Sequence, residues 1–129
     1  MYKILLVDDD DFVCDLYHLT LSKLGCEVII AYDGVDGLNK LKSIVPDIIL
    51  LDLMMPRMSG IDMLDRIKTT DKLAQIPVFI LSNLSDPGII EVCLKKGANQ
   101  FLVKSQFLPQ EIFNKIDQYL KTIVKSTLT

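Results

Sequence analysis

Five short apolar runs alternate with longer amphipathic segments, and this alternation restricts the possible folds more than any other feature of the sequence. The runs consist mainly of β-branched residues and leucine, and most lack the polar alternation of a half-exposed strand. Runs of this kind are typical of strands that are covered on both faces. They are Lys3–Val7, Cys26–Ala31, Asp47–Leu51, Ile76–Leu81 and Gln100–Val103.

The segments between and after these runs carry the start and stop signals of helices. Serine and aspartate stand where N-caps are favoured, glycine stands where helices end, and proline marks boundaries. In the first segment an apolar face at helical spacing is expected to pack on the core, and it comprises Val13, Leu16, Thr20 and Leu24. The predicted helices run from about Asp10 to Leu24, from Asp33–Gly34 to before Pro46, from Ser59, from Asp86–Pro87 to Gly97, and from Pro109 onward.

Strands that alternate with helices in this way predict a parallel sheet, because a chain that re-enters a sheet in the same direction needs a crossover connection. No linker, repeat or low-complexity segment divides the sequence. We therefore predict one α/β domain over residues 1–129, with a core from about residue 2 to 124. Its sheet is doubly wound, parallel and five-stranded, with helices on both faces.

Composition narrows the classes of function. A net charge of -3 without a basic cluster gives no electrostatic reason to expect direct nucleic-acid binding. The apolar runs are far shorter than the roughly 20 residues of a membrane span, so no membrane insertion is expected. The scattered cysteines Cys14, Cys26 and Cys93 predict buried free thiols in a reducing, cytoplasmic compartment. His18 stands alone and is expected to have a surface or packing role.

Aspartates follow two of the predicted strands. Asp8, Asp9 and Asp10 come directly after the first run, and Asp52 comes directly after the third. If these strands are neighbours, Asp8, Asp9 and Asp52 converge at one edge of the sheet. Clustered carboxylates repel unless a cation lies among them, and oxygen ligands of this number suit Mg²⁺. A simpler interpretation, that aspartates cap the following helices, fits Asp10 or Asp11 but does not explain Asp52.

Two further polar residues end predicted strands at the same edge. Ser82 directly follows the fourth run and Lys104 directly follows the fifth. A hydroxyl can donate to a phosphoryl oxygen, and an ammonium can neutralise its charge. Together with the aspartates, these groups predict phosphoryl transfer to the Asp52 carboxylate, with Mg²⁺, Ser82 and Lys104 screening the charge.

Four motifs occur in order along the chain: KILLVDDD at 3–10, DIILLDLMMPRMSG at 47–60, PVFILS at 77–82 and GANQFLVK at 97–104. Together they resemble the receiver domain of two-component response regulators, and the likeness extends from Tyr2 to about Val124. It suggests a stand-alone receiver of the chemotaxis-regulator type. The resemblance implies a flavodoxin-like fold with strand order 2-1-3-4-5, and a protein that catalyses only its own phosphorylation and dephosphorylation.

The resemblance also implies the roles of the acidic residues. Asp52 would be the phosphoacceptor, and the donor would be a sensor histidine kinase or a phosphotransfer protein. Asp9, Asp52 and the backbone carbonyl of Met54 would bind Mg²⁺ directly, whereas Asp8 would act mostly through a water molecule. Helix four, strand five and helix five would form the surface that binds a downstream protein partner, whose identity the sequence does not give. A monomer or weak dimer is expected.

By the same resemblance, Ser82 and Lys104 would hold the phosphoryl group, and Phe101 would rotate inward when Ser82 moves towards it. One departure concerns the residue after the lysine, which in the family is usually a proline in a cis peptide but here is Ser105. A cis bond before a residue other than proline costs about 2.5–4 kcal/mol, so a trans bond is expected. With a trans bond, Lys104 would be aimed differently from the lysine of the family.

The outer surfaces give further hypotheses. Met54 and Leu84, both apolar beside the site, could limit attacking water and slow the loss of phosphate. The fourth helix carries more apolar residues than one buried stripe needs, which fits either a contact surface or a deeply packed helix. They are Ile89, Ile90, Val92, Cys93 and Leu94. Kinase specificity is expected on the first helix, at residues that include Phe12, Leu16 and Tyr17.

Two alternative functions compete with this interpretation. The first is a receiver-like module that no longer accepts phosphate and only docks with a partner. The full set of acidic residues argues against this function, whereas Ser105, in place of the family's usual proline, keeps it open. A phosphatase with an aspartyl nucleophile would need a second acid two residues beyond Asp52, and Met54 occupies that position. An enzyme of that class is therefore not expected.

Overall fold

Strands and helices alternate along the chain as the apolar pattern predicts. The structure is a computed structural model that describes residues 1–128, with side chains through residue 123, so Thr129 of the predicted domain lies outside the described residues. The strands are β1 (Lys3–Val7), β2 (Glu27–Ala31), β3 (Ile48–Leu51), β4 (Val78–Ser82) and β5 (Gln100–Val103). The helices are α1 (Asp11–Lys23), α2 (Gly34–Lys40), α3 (Gly60–Thr69), α4 (Pro87–Lys95) and α5 (Pro109–Leu128), and a 3₁₀ turn, Lys104–Gln106, precedes α5.

The strands pair in parallel in the order β2-β1-β3-β4-β5, which confirms the predicted fold class and strand order. Val7, the last residue of β1, pairs with Ala31 of β2 and with Leu51 of β3. The segments that follow β1 and β3 therefore leave the sheet side by side. This point, where the strand order reverses, is where ligands bind in open α/β sheets.

Helices cover both faces of the central strands, which explains why these runs lack polar alternation. Successive residues of β1 point to opposite faces of the sheet. Leu5 and Val7 pack in a cluster that includes Leu64 of α3. Ile4 and Leu6 pack in a second cluster, on the face covered by α1 and α5. The carboxyl edge of the sheet is therefore supported by a hydrophobic cluster on each face.

The predicted N-caps are confirmed, whereas several boundaries differ from the prediction. Side chains of Asp10, Asp33, Ser59 and Asp86 accept hydrogen bonds from the first turns of α1 to α4. β2, β3 and β4 each begin one or two residues later than predicted. α2 ends at Lys40 rather than before Pro46, because the backbone N–H groups of Lys42 and Ser43 turn to carbonyls three residues back.

The predicted buried face of α1 is wrong by about one residue. Cys14, Tyr17 and Leu21 are the buried residues of this helix, whereas Leu16 and Leu24 are 39% and 38% exposed. α1 contacts both β2 and α5, and the face that meets them carries Cys14, Tyr17 and Leu21. Tyr17, at 3% exposure, is therefore a core residue and does not belong to the proposed kinase-facing surface.

The remaining isolated residues lie where the sequence predicts. All three cysteines are free and buried, and His18 is on the surface. Among residues 1–128 no helix is both long enough and apolar enough to cross a membrane.

The corrected face of α1 can be tested with two identical substitutions. Leu21→Ala removes a fully buried side chain and is expected to lower the free energy of unfolding by about 2–5 kcal/mol. Leu16→Ala, on the predicted but exposed face, is expected to cost about 1 kcal/mol or less. Urea unfolding followed by circular dichroism measures both, and equal losses would contradict the corrected orientation.

Candidate functional site

Backbone pairing carries two aspartates to the carboxyl edge of the sheet. The N–H of Asp8 donates to the carbonyl of Ala31 at 3.0 Å, and the N–H of Asp52 donates to the carbonyl of Val7 at 2.9 Å. Each ladder thus continues one residue past its strand and fixes the position of the aspartate. Asp10, the next residue but one after Asp8, is instead used as the cap of α1.

The structure brings Asp8, Asp9 and Asp52 together, as the sequence predicts. One carboxylate oxygen from each lies within 4.8 Å of the others. Asp8 is fully buried, Asp52 is 8% exposed, and Asp9 is exposed to solvent. Three carboxylates at this spacing, open on the side of Asp9, are hard oxygen donors that fit a divalent cation such as Mg²⁺.

The side chain of Lys104, the residue directly after β5, extends to this cluster. Its Nζ lies 2.7 Å from Asp8 Oδ2 and 3.8 Å from Asp52 Oδ1. The peptide bonds of the described residues are all trans, which confirms the expectation for Lys104–Ser105. The side chain of Lys104 therefore reaches the acidic cluster with a serine after it.

The protonation of Asp52 reflects its burial. Desolvation, together with the negative charge of Asp8, raises the pKa of this carboxyl to about 6, against the opposing attraction of the Lys104 ammonium. A carboxyl group whose pKa lies near neutral pH is readily protonated unless a cation stabilises its ionised form. The carboxylates of the cluster therefore repel one another, and an added positive charge would stabilise their ionised form.

A cavity of about 230 Å³ opens beside the Asp52 carboxylate. Ser82 is buried at its wall, and its Oγ accepts a hydrogen bond from the N–H of Leu84 at 3.2 Å. Met54 is 65% exposed at the rim. The residues that line the cavity are Asp52, Met54, Ser82, Asn83, Leu84 and Lys104. Phe101 is outside this list; it pairs with Ile80 of β4 and is partly buried against the core.

Gly60, at the start of α3, determines how closely this helix approaches the segment after β3. A Cβ at position 60 would lie 2.1 Å from the carbonyl oxygen of Asp52 and 2.7 Å from Cα of Leu53. The N–H of Gly60 also donates to the carbonyl of Leu53 at 2.9 Å. The motif contains this glycine, but its role depends on the close approach of two backbone segments, which only the fold shows.

An ion pair that sequence reasoning missed holds the loop after Asp52. Nε and Nη2 of Arg57 lie 2.7 Å and 2.6 Å from Asp33 Oδ2, while Asp33 Oδ1 accepts from the N–H of Asp36 and caps α2. Arg57 has a φ of 65°, which is uncommon for a residue other than glycine. The pair is 24 residues apart in sequence, so no local pattern could indicate it.

Comparison with known proteins decides the family. The family model of the response regulator receiver domain matches residues 4–117. The chain belongs to the response regulator receiver family. Receiver domains act in phosphorylation-dependent two-component signalling with histidine kinases or phosphotransfer proteins, and they are signalling modules rather than classical enzymes.

Individual relatives support the assignment of this receiver. It is 39% identical over 106 residues to the chemotaxis protein CheY of Treponema pallidum, covering 80% of this chain and 72% of that protein. It is 36% identical over 104 residues to the transcriptional regulatory protein AfsQ1 of Streptomyces coelicolor, covering 81% and 45%. The chain spans about half the length of the transcriptional regulators that it matches.

Solved structures agree with the fold. A response regulator receiver domain protein (CheY-like) from Methanospirillum hungatei superposes with a TM-score of 0.89 at 25% identity, covering 98% of both chains. The strand order of the five-stranded sheet and the helices on both of its faces are therefore those of a CheY-like receiver.

The Arg57–Asp33 pair can be tested through pH. The N–H of Asp36 and the Arg57 guanidinium hold the pKa of Asp33 below its ordinary value of 3.8. Ionised Asp33 therefore contributes stability at neutral pH, and this contribution is lost as pH falls through the lowered pKa. Asp33→Asn, which keeps a capping oxygen, is expected to lower the free energy of unfolding at pH 7 by about 1 kcal/mol, because Arg57 is partly solvent-screened.

Asp33→Ala serves as the comparison, because it also removes the cap and should cost about 1 kcal/mol more. The difference between wild type and Asp33→Asn should shrink as the pH is lowered below 3.8. Urea unfolding from pH 7 down to the acid transition measures this, and a difference that does not change with pH would contradict the assigned ion pair.

Proposed function

We propose that Asp52 of this receiver accepts a phosphoryl group from a sensor histidine kinase or a phosphotransfer protein. The observation that carries this proposal is the position of the Asp52 carboxylate, which borders a cavity that Lys104 and Ser82 also line. An anionic ligand in that cavity would meet an ammonium and a hydroxyl beside the nucleophile. Ser82 and Lys104 are the groups proposed to hold it.

The transfer is an in-line displacement at phosphorus. A carboxylate oxygen of Asp52 attacks the phosphoryl group, the new O–P bond forms, and the N–P bond to the donor histidine breaks with its electron pair going to the imidazole nitrogen. Lys104 neutralises charge on the phosphoryl oxygens, and the Ser82 hydroxyl donates a hydrogen bond to one of them. Hydrolysis by water later returns Asp52 as a carboxylate and releases inorganic phosphate.

Asp9, Asp52, the backbone carbonyl of Met54 and, through water, Asp8 are proposed to hold Mg²⁺. When bound, Mg²⁺ would offset the repulsion between the carboxylates and the incoming phosphoryl oxygens. The exposed Asp9 leaves the cluster accessible from solvent. Met54 and Leu84 stand at the cavity and are proposed to limit attacking water, which would lengthen the life of the acyl phosphate.

The output is proposed to lie on α4, β5 and α5. Cys93 is the buried residue of α4, whereas Val92 and Leu94 are 42% and 47% exposed. This supports the contact-surface interpretation of the helix over deep packing. Movement of Ser82 towards phosphate, with rotation of Phe101, would shift the population between two arrangements of this face.

The partner that donates phosphate is proposed to contact the outer face of α1. Phe12 is 74% exposed there, next to the acidic cluster in sequence, and Leu16 is 39% exposed. We also propose that the protein is cytoplasmic and a monomer or weak dimer. The docking-only alternative depends on a misdirected Lys104, and the 2.7 Å contact of Lys104 with Asp8 supports the phosphate-accepting proposal instead.

Intact-mass measurement after incubation with acetyl phosphate tests the proposal. One phosphoryl group should appear on the wild-type protein in the presence of Mg²⁺, and it should be absent with a chelator and in Asp52→Asn. Ser85→Ala, which changes an exposed serine outside the cavity lining, serves as the matched control and should be phosphorylated like wild type. An adduct that survives in Asp52→Asn, or none on folded wild type with Mg²⁺, would contradict the proposal.

A further inference from the structure

One hydrogen bond joins the two loops that carry the proposed phosphate-holding groups. The backbone N–H of Ser105 donates to Oδ1 of Asn83 at 2.8 Å. Asn83 directly follows Ser82, and Ser105 directly follows Lys104. The bond therefore connects the segment after β4 to the 3₁₀ turn after β5, across the mouth of the cavity that Asn83 and Lys104 both line.

This bond depends on the departure at position 105. A proline there would have no N–H to donate, and the side chain of Asn83 would lose this partner. Ser105 supplies the donor and Asn83 supplies the acceptor, 22 residues apart in sequence. The two residues are thus complementary, and each is useful in this contact only with the other.

The position of Lys104 gives the bond its consequence. The turn that begins at Lys104 has no side-chain cap of its own, and a lysine side chain is a flexible stem whose direction depends on how its backbone is held. Its Nζ must nevertheless reach Asp8 and Asp52, at 2.7 Å and 3.8 Å. The hydrogen bond between the Ser105 N–H and Asn83 restricts the backbone next to Lys104, and so restricts the directions in which the Lys104 side chain can extend.

We propose that Asn83 is a positioning residue that acts through the Ser105 N–H to hold Lys104 and Ser82 in register on one phosphoryl group. This inference rests on the proposed function of the cavity. The competing explanation is that Asn83 acts directly, as part of the cavity wall. The two explanations differ in whether the effect of Asn83 requires the N–H of residue 105.

A double-mutant cycle separates them. The proteins are wild type, Asn83→Ala, Ser105→Pro and the double variant, with Ser105→Ala as the control that keeps the N–H. The rate of Asp52 phosphorylation by acetyl phosphate with Mg²⁺ is measured over a range of donor concentrations. Asn83→Ala should lower the maximal rate about tenfold in the wild-type background, because misplacing a catalytic group is costly.

In the Ser105→Pro background, the same Asn83→Ala substitution should change the rate by less than about twofold, whatever the rate of Ser105→Pro itself, since the donor is already gone. Ser105→Ala should stay within about twofold of wild type. Equal effects of Asn83→Ala in both backgrounds, or no effect in either, would overturn the proposal.

Hydrogen exchange of the Ser105 amide, followed by NMR, tests the bond without phosphorylation. Exchange should be about tenfold faster in Asn83→Ala than in wild type if this bond protects the amide, and unchanged exchange would overturn the inference. A wild-type protein that takes no phosphoryl group but shows this exchange difference would identify the proposed function, rather than the Asn83–Ser105 bond, as the part that failed.

Discussion

Burial of negative charge at the carboxyl edge of the sheet is the constraint on which the rest of the structure depends. A fully buried carboxylate costs much free energy unless a cation pairs with it. Asp8 meets this condition through Lys104, at 2.7 Å. Asp52 meets it less completely, since the Lys104 ammonium is 3.8 Å away and burial raises the pKa of Asp52 to about 6. The pocket therefore attracts further positive charge.

The loops that surround the cluster are tied down by a few specific contacts rather than by packing alone. Gly60 lets α3 approach the backbone of Asp52 closely. Arg57 fastens the loop after Asp52 to the start of α2, and Asn83 fastens the loop after β4 to the turn after β5. Each of these ties involves backbone or a buried partner, so the loops around the cluster are held relative to the neighbouring helices and turns.

How far the sequence predicts this structure depends on the range of each signal. Apolar runs and caps predicted the parallel sheet. The convergence of Asp8 with Asp52 also required β1 and β3 to be neighbours, which only the resemblance to receiver domains implied and which the structure shows. The buried face of α1 was misassigned, since Leu16 is as apolar as the residues that face the core. The Asn83–Ser105 bond has no local pattern, because its partners meet only when β4 and β5 pair.

A calorimetric titration of the protein with Mg²⁺ at constant ionic strength shows whether the buried negative charge at this edge binds a cation. We expect one saturable Mg²⁺ site whose affinity falls at least about tenfold in Asp9→Asn. Lys104→Ala should instead raise the affinity, because it removes the ammonium that shares Asp8 with the metal, whereas Lys96→Ala, whose partner is the distant Asp65, should not change it. No saturable binding, or an affinity that neither Asp9→Asn nor Lys104→Ala changes, would show that these carboxylates do not form a Mg²⁺ site.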